Sequence, residues 1–143
     1  MQTDLIQIGG AGPAGLVAAI TLAKAGRRLL VHEAQGEVGH RFDGGFQGPE
    51  NWSAQHNALD LQREVGIATE LTTLPCSRGY AFDAWGKCYE FAGSKTLFYP
   101  VEREPGPGTL DTALLEQAHD LEVAVRFNSR LDRLAGTTTH GEQ

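Results

Sequence analysis

Residues Thr3–Ala34 read TDLIQIGGAGPAGLVAAITLAKAGRRLLVHEA, and the order of residue types within them decides the fold. The run Leu5-Ile6-Gln7-Ile8 is short and apolar, as a buried parallel strand is. Gly10-Ala11-Gly12-Pro13-Ala14-Gly15 follows at once, which puts G-x-G-x-x-G at a strand-to-helix turn. Leu16 to Ala25 have strong helix propensity and are closed by Gly26, where a glycine after a helix C-terminus belongs. A second apolar strand, Arg28 to His32, ends in Glu33. The spacing predicts a complete β-α-β unit with an acidic residue at the tip of its second strand.

Each part of this unit suits a dinucleotide. Gly10 allows a tight turn out of the first strand, and Gly12, without a side chain, lets the backbone approach a pyrophosphate. Gly15 permits close packing of the helix on the sheet. Main-chain amides at the helix N-terminus point at the phosphates, and the macrodipole adds roughly 0.3–1 kcal/mol for an anion there. Pro13 fits the first helical turn, where a missing N–H costs little. Glu33 would accept hydrogen bonds from two ribose hydroxyls, each charge-assisted bond contributing about 1.5–3 kcal/mol. A carboxylate at that point repels a 2′-phosphate, which disfavours NADP. A lone G-x-G-x-x-G also occurs in glycine-rich turns that bind nothing. Here a preceding strand, a following helix, small Ala19 four residues after Gly15 and the placed Glu33 accompany it.

Composition narrows the classes further. With 143 residues, 41% of them hydrophobic, the chain is expected to form one domain with an adequate core. Its net charge is −6 and its only paired basic residues in sequence are Arg27-Arg28, which argues against nucleic-acid binding. The apolar stretch around Leu16–Ala25 is too short to cross a bilayer, so no transmembrane segment is expected. The N-terminus has no charged segment followed by an apolar core of the signal-peptide kind and leads straight into the first strand. Cys76 and Cys88 lie twelve positions apart, with no C-x-x-C and no histidine pair at ligand spacing. No metal site is expected, and a reduced, cytoplasmic chain is the simpler reading.

After Glu33 the pattern is less regular. Residues 35–50 are dense in glycine and lack hydrophobic periodicity, so they read as a long loop, which in a compact domain is functional or disordered. Arg41 in this loop could reach back to a pyrophosphate or adenosine, or could be a solvated loop arginine. Trp52–Val65 carries Ala54, Ala58, Leu61 and Val65 at helical spacing, with Gly66 as the stop. His56 falls off that stripe and reads as a solvated surface residue. Gly79–Asp83 and Lys87–Phe91, around Ala84-Trp85-Gly86, predict a hairpin. Its aromatics Tyr80, Phe82, Tyr89 and Phe91 read as sheet core, or alternatively as a stacking surface for a planar ring. Thr96–Val101 reads as a short strand ended by Glu104-Pro105-Gly106-Pro107-Gly108. A helix is expected from Thr109 as N-cap, with Asp111 in its first turn and Leu110, Ala113, Leu114, Ala118 and Leu121 buried. Val123, Val125 and Phe127 alternate as a strand, Ser129–Leu134 begins another, and residues 136–143 form a frayed polar tail.

With these residues in view, the chain resembles FAD-dependent oxidoreductases of the hydroxybenzoate-hydroxylase and geranylgeranyl-reductase type, the two-dinucleotide-binding-domain flavoproteins. Gly10, Gly12, Gly15, Ala19, Gly26 and then Glu33 match that family's extended pattern G-x-G-x-x-G-x₃-[G/A]-x₆-G. Gly39-His40-Arg41 is similar to its glycine-and-arginine loop, and Arg103 before Leu110-Asp111 and Val123–Phe127 is similar to a later arginine–helix–strand succession. The Pro-Gly insertion widens the spacing from Arg103 to Asp111. The resemblance implies an α/β Rossmann-like domain with a parallel sheet over residues 1–143, incomplete at its C-terminus. The family's later Gly-Asp strand and covering sheet domain have no counterpart in these residues. FAD is the cofactor implied, with Glu33 on the adenosine ribose, Gly12–Gly15 on the pyrophosphate, and Arg41 and Arg103 along the cofactor.

The candidate cofactor set is therefore Gly10, Ala11, Gly12, Pro13, Ala14, Gly15, Glu33, Ala34, Arg41 and Arg103. No catalytic residue stands out, because in such enzymes the flavin carries the redox chemistry. The expected partners are FAD, a small-molecule substrate that the sequence does not identify, and a C-terminal half supplied by a longer chain. Two other readings stay open: an NAD-binding dehydrogenase domain, and a nucleotide-binding module without redox activity. The irregular loop after Glu33, in place of a prompt third β-α unit, speaks against the first of these.

Overall fold

A computed structural model describes residues 4–53, 55–67, 71 and 73–131. In chain order the elements are β1 (Ile6–Gly9), α1 (Pro13–Lys24), β2 (Leu29–His32), β3 (Gly45–Gln47), α2 (Ala58–Glu64), β4 (Arg78–Phe82), β5 (Cys88–Ala92), β6 (Val101–Arg103), α3 (Leu110–Asp120) and β7 (Ala124–Arg126). The predicted β-α-β unit is present, and its sheet is parallel, in the order β1-β2-β7. Ile6 lies opposite Leu29, and Leu30 opposite Ala124.

The core forms where α1 and α3 pack together and against the sheet. Leu16, Ala19 and Ile20, spaced i, i+3, i+4, put one apolar stripe of α1 against Val31 of the sheet and Leu114 and Ala118 of α3. Leu16 and Ile20 are fully buried, and each contributes about 1.5–3 kcal/mol by leaving water. Pro13 opens α1 in its first turn, as the sequence predicts. Gly26 closes it at φ 72°, where its N–H meets Ala23 O at 2.8 Å and Arg27 N–H meets Leu22 O at 3.1 Å. That pair of bonds satisfies two of the last helical carbonyls. Gly66 closes α2 and Glu122 closes α3 with the same pair of bonds.

α3 begins as expected, with Thr109 accepting a hydrogen bond from Thr112 N–H. α2 does not. Its first residue is Ala58, because Asn57 caps it through Leu59 and Asp60 N–H while the Asn51 side chain accepts Ala58 N–H. These two amide side chains stop the helix short of Trp52. Its buried residue is Leu59, whereas Leu61 and Val65, on the expected stripe, are exposed. Ala54 lies outside the described residues, and His56 is exposed ahead of the helix.

The glycine-dense segment contains an unexpected strand. β3 pairs antiparallel with β6, Gly45 opposite Arg103 and Gln47 opposite Val101, and Gly44 N–H donates to the Glu104 carboxylate at 2.8 Å. The strand expected over Thr96–Val101 forms instead at Val101–Arg103, and Phe98 makes only isolated bridges to Glu50 and Cys76. The β4–β5 hairpin is present, with Tyr80 opposite Glu90. Its aromatics are not core: Tyr80, Phe82 and Tyr89 are exposed, and Trp85 at the tip is 90% exposed. Two strands make no second layer, so period-two alternation here does not by itself bury a face. Val123 is buried beside β7, and the strand expected from Ser129 is not present up to residue 131. Its continuation and the 136–143 tail lie outside the described residues. Among the described residues, no helix is long and apolar enough to cross a membrane, and no cluster of His, Cys, Asp and Glu could hold a metal ion.

Candidate nucleotide-binding site

The carboxyl ends of β1 and β2 lie side by side because the strands are parallel and in register. This is where open α/β sheets bind their ligands. Gly10, at φ 95°, turns the chain out of β1 while its N–H donates to His32 O at 2.7 Å. The glycine turn is thereby fixed to the end of the neighbouring strand. The first main-chain bond of α1 is Leu16 N–H to Gly12 O at 2.9 Å. The N–H groups of Gly12, Ala14 and Gly15 precede it and head the helix, the positive end of its dipole.

Glu33 is held at this corner by main-chain contacts of its carboxylate and of its own N–H. Its Oε2 accepts Ala11 N–H at 2.7 Å, its Oε1 accepts Gln35 N–H at 2.9 Å, and its own N–H donates to Arg126 O at 2.8 Å. A carboxylate has about four acceptor sites, so capacity for two hydroxyl donors remains. The sequence placed the acid at the tip of the strand. The structure adds that it reaches back to the glycine turn itself.

A cleft of about 400 Å³ opens in front of the turn. Ala11, Gly12, Pro13 and Glu33 line it together with Gly39, His40, Arg41, Phe42, Arg103 and Asp111. Of the sequence-derived candidates, Ala11, Gly12, Pro13, Glu33, Arg41 and Arg103 thus meet in one cavity. Gly10, Ala14, Gly15 and Ala34 stand outside its lining, the first three being the turn and helix start that support it. A Cβ on Gly12 would meet nothing within 4 Å, so the space before this residue is open.

Around Arg103 the lining is held by contacts that no residue spacing announces. Arg103 is buried and holds Asp111 bidentately, Nε to Oδ2 at 2.6 Å and Nη2 to Oδ1 at 3.0 Å. Its Nη1 donates to Gln47 Oε1, and its guanidinium lies 4.4 Å from the Phe42 ring centroid. Three of its five N–H donors serve these contacts. Arg41 is exposed and 5.7 Å from the same ring. Asp111, Gln47 and Phe42 were not candidates on sequence; Arg103 ends β6 and Asp111 lies in α3, so no period of one element relates them.

Residues 8–58 match the family model of an NAD(P)-binding Rossmann-like domain. No curated protein matches the chain by sequence. Among solved structures the fold is similar to a geranylgeranyl bacteriochlorophyll reductase-like protein from Thermoplasma acidophilum, at a TM-score of 0.62 and 19% identity over 87% of this chain and 30% of that one. It is also similar to p-nitrophenol 4-monooxygenase PnpA from Pseudomonas putida (TM-score 0.67, 16% identity, 93% of this chain, 34% of that one). PqsL from P. aeruginosa, solved with 2-aminobenzoylacetate, gives 0.67 and 17% identity over 96% and 36%. The chain spans about a third of the length of these structures. It has a Rossmann-like α/β fold, and its likeness to these reductases and monooxygenases is one of fold.

Proposed function

We propose that this chain is the ADP-binding portion of an FAD-dependent oxidoreductase. The observation that carries this reading is the bond from Ala11 N–H to the Glu33 carboxylate, which aims an acceptor into the cleft beside the glycine turn. On this reading Glu33 accepts the adenosine ribose hydroxyls. The amides of Gly12, Ala14 and Gly15 face the pyrophosphate, and the open space before Gly12 fits such a group. Arg41, exposed and in no ion pair among the described residues, supplies a cation to the phosphates. Arg103 lies along the cofactor with its two remaining N–H donors, its plane fixed by Asp111. Bound FAD would supply the redox chemistry; the residues here bind and orient it. A cytoplasmic setting, supported by free Cys76 and Cys88, belongs to the same proposal. So do a small-molecule substrate and a completing C-terminal half, supported by neighbours about three times as long.

The test is titration of the purified chain with FAD, followed by flavin fluorescence, with ADP as competitor. Saturable binding displaced by ADP is expected. Failure of both FAD and ADP to bind would end the proposal. The description of the matched family model favours a second reading, an NAD-binding domain. NADH that binds more tightly than FAD would select it.

A further inference from the structure

β2 reads Leu29-Leu30-Val31-His32, three apolar residues and then a histidine that is only 7% exposed. Parallel strands covered on both faces are near-continuously apolar, so a buried imidazole at the last position calls for a reason. Both ring nitrogens are engaged: Nε2 with Gln7 Oε1 at 3.0 Å and Nδ1 with Ser129 Oγ at 2.8 Å. Gln7 belongs to β1, and Ser129 follows β7. Through its Oε1 Gln7 can only accept, so Nε2 donates to it, and in a neutral ring Nδ1 then accepts from the Ser129 hydroxyl. One side chain therefore ties the interior of the first strand and the segment after the last one to the end of the middle strand.

The segment after β7 frames Glu33. Ser129 N–H donates to Glu33 O at 2.8 Å, and Asn128 N–H to Gln35 O at 2.9 Å. Gln35 N–H in turn holds Glu33 Oε1. Asn128 adopts a left-handed φ of 51°, a conformation found where surrounding contacts over-determine the backbone. The circuit closes on the carboxylate: His32 fixes Ser129, residues 128–129 fix the Glu33–Gln35 turn, and that turn fixes the direction of the carboxylate.

We propose that His32 is a positioning residue of the nucleotide corner, its ring held by Gln7 and acting through Ser129 to hold the Glu33 carboxylate in line for ribose hydroxyls. This rests on the ADP-binding reading above. The test compares ADP with 2′,3′-dideoxy-ADP, which lacks both hydroxyls, by calorimetric titration of the full chain. Wild-type protein prefers ADP. His32→Leu and Ser129→Ala each lower ADP affinity about 3- to 10-fold, the worth of one neutral hydrogen bond, and leave dideoxy-ADP binding unchanged. His32→Gln, which keeps one donor and one acceptor, retains more of the preference than His32→Leu. Equal weakening of both ligands, or an unchanged ratio in His32→Leu, would overturn the positioning role. A wild-type chain that binds both ligands equally would instead remove the ribose role of Glu33. Should His32→Leu fail to fold, Ser129→Ala and Gln7→Met carry the same comparison.

Discussion

The carbonyl oxygen of Gly10 lies 2.0 Å from the point a Cβ on Gly15 would occupy, and Ile8 Cγ2 lies 3.6 Å from it. The third glycine of the turn is therefore required by contact with the first, where α1 folds back over the end of β1. Gly15→Ala forces the turn off its place against His32. The expected loss is about 1–3 kcal/mol of stability, as for other overpacked sites, read from the urea midpoint.

Gly12 differs in kind. Its backbone is extended, at φ −78° and ψ 177°, so any residue can adopt it, and a Cβ there meets open space. Gly12→Val is expected to fold with an unchanged circular dichroism spectrum and to lose FAD and ADP binding, because the branched side chain fills the cleft. Wild-type affinity in this variant would refute the phosphate position.

Glu33→Ala removes the acceptor but leaves the main-chain frame of β2 and β7 in place. Binding of adenine dinucleotide is expected to weaken by about 1–3 kcal/mol with little change in fold. An unaltered calorimetric Kd would show that the carboxylate does not touch the ribose.

Arg103 and Asp111 form an ion pair whose side chains are 9% and 1% exposed. Asp111→Asn leaves a buried guanidinium without its counter-charge, and a destabilisation of about 3–5 kcal/mol is expected. Replacing both, as Arg103→Met with Asp111→Leu, should recover most of it. A double variant no more stable than the single one would show that the pair contributes more than mutual neutralisation.

Asp83 at the hairpin turn is held below its ordinary pKa. Lys87 N–H donates to its carboxylate at 2.9 Å, burial opposes this, and Trp85 N–H at 3.0 Å and Tyr89 OH at 3.1 Å add to it. A lowered folded value means the turn is supported above the unfolded pKa of Asp83. That support disappears as pH falls through the folded value. Amide resonances of Trp85 and Lys87 should therefore lose dispersion in acid, and Asp83→Ala should show that loosened state already at neutral pH. A turn indifferent to both changes would deny the carboxylate its role.

Much of the candidate site was legible because its parts are close in sequence. The strand, the G-x-G-x-x-G turn, α1 with its closing Gly26 and the acid after β2 obey rules of local backbone geometry and hydrogen bonding. Thr109 was equally readable as a cap. Leu59 was not, since helical spacing marks a stripe without saying which face meets the core, and Asn57 and Asn51 decided where α2 starts. The hairpin aromatics illustrate the same limit, because alternation cannot report whether another layer covers them. The tie between His32 and Ser129 spans 97 positions and leaves no periodic trace.

What the sequence determined by itself is one half of the cleft: the glycine turn, the helix start and Glu33, all within about thirty residues and fixed by short-range sterics and capping. The other half was decided by tertiary structure. Phe42, Gln47, Arg103 and Asp111 come together only when β3 pairs with β6 and Arg103 bridges to α3, joining residues as far apart in sequence as Phe42 and Arg103. That union depends on charge and shape complementarity between distant segments, which residue spacing along the chain does not record.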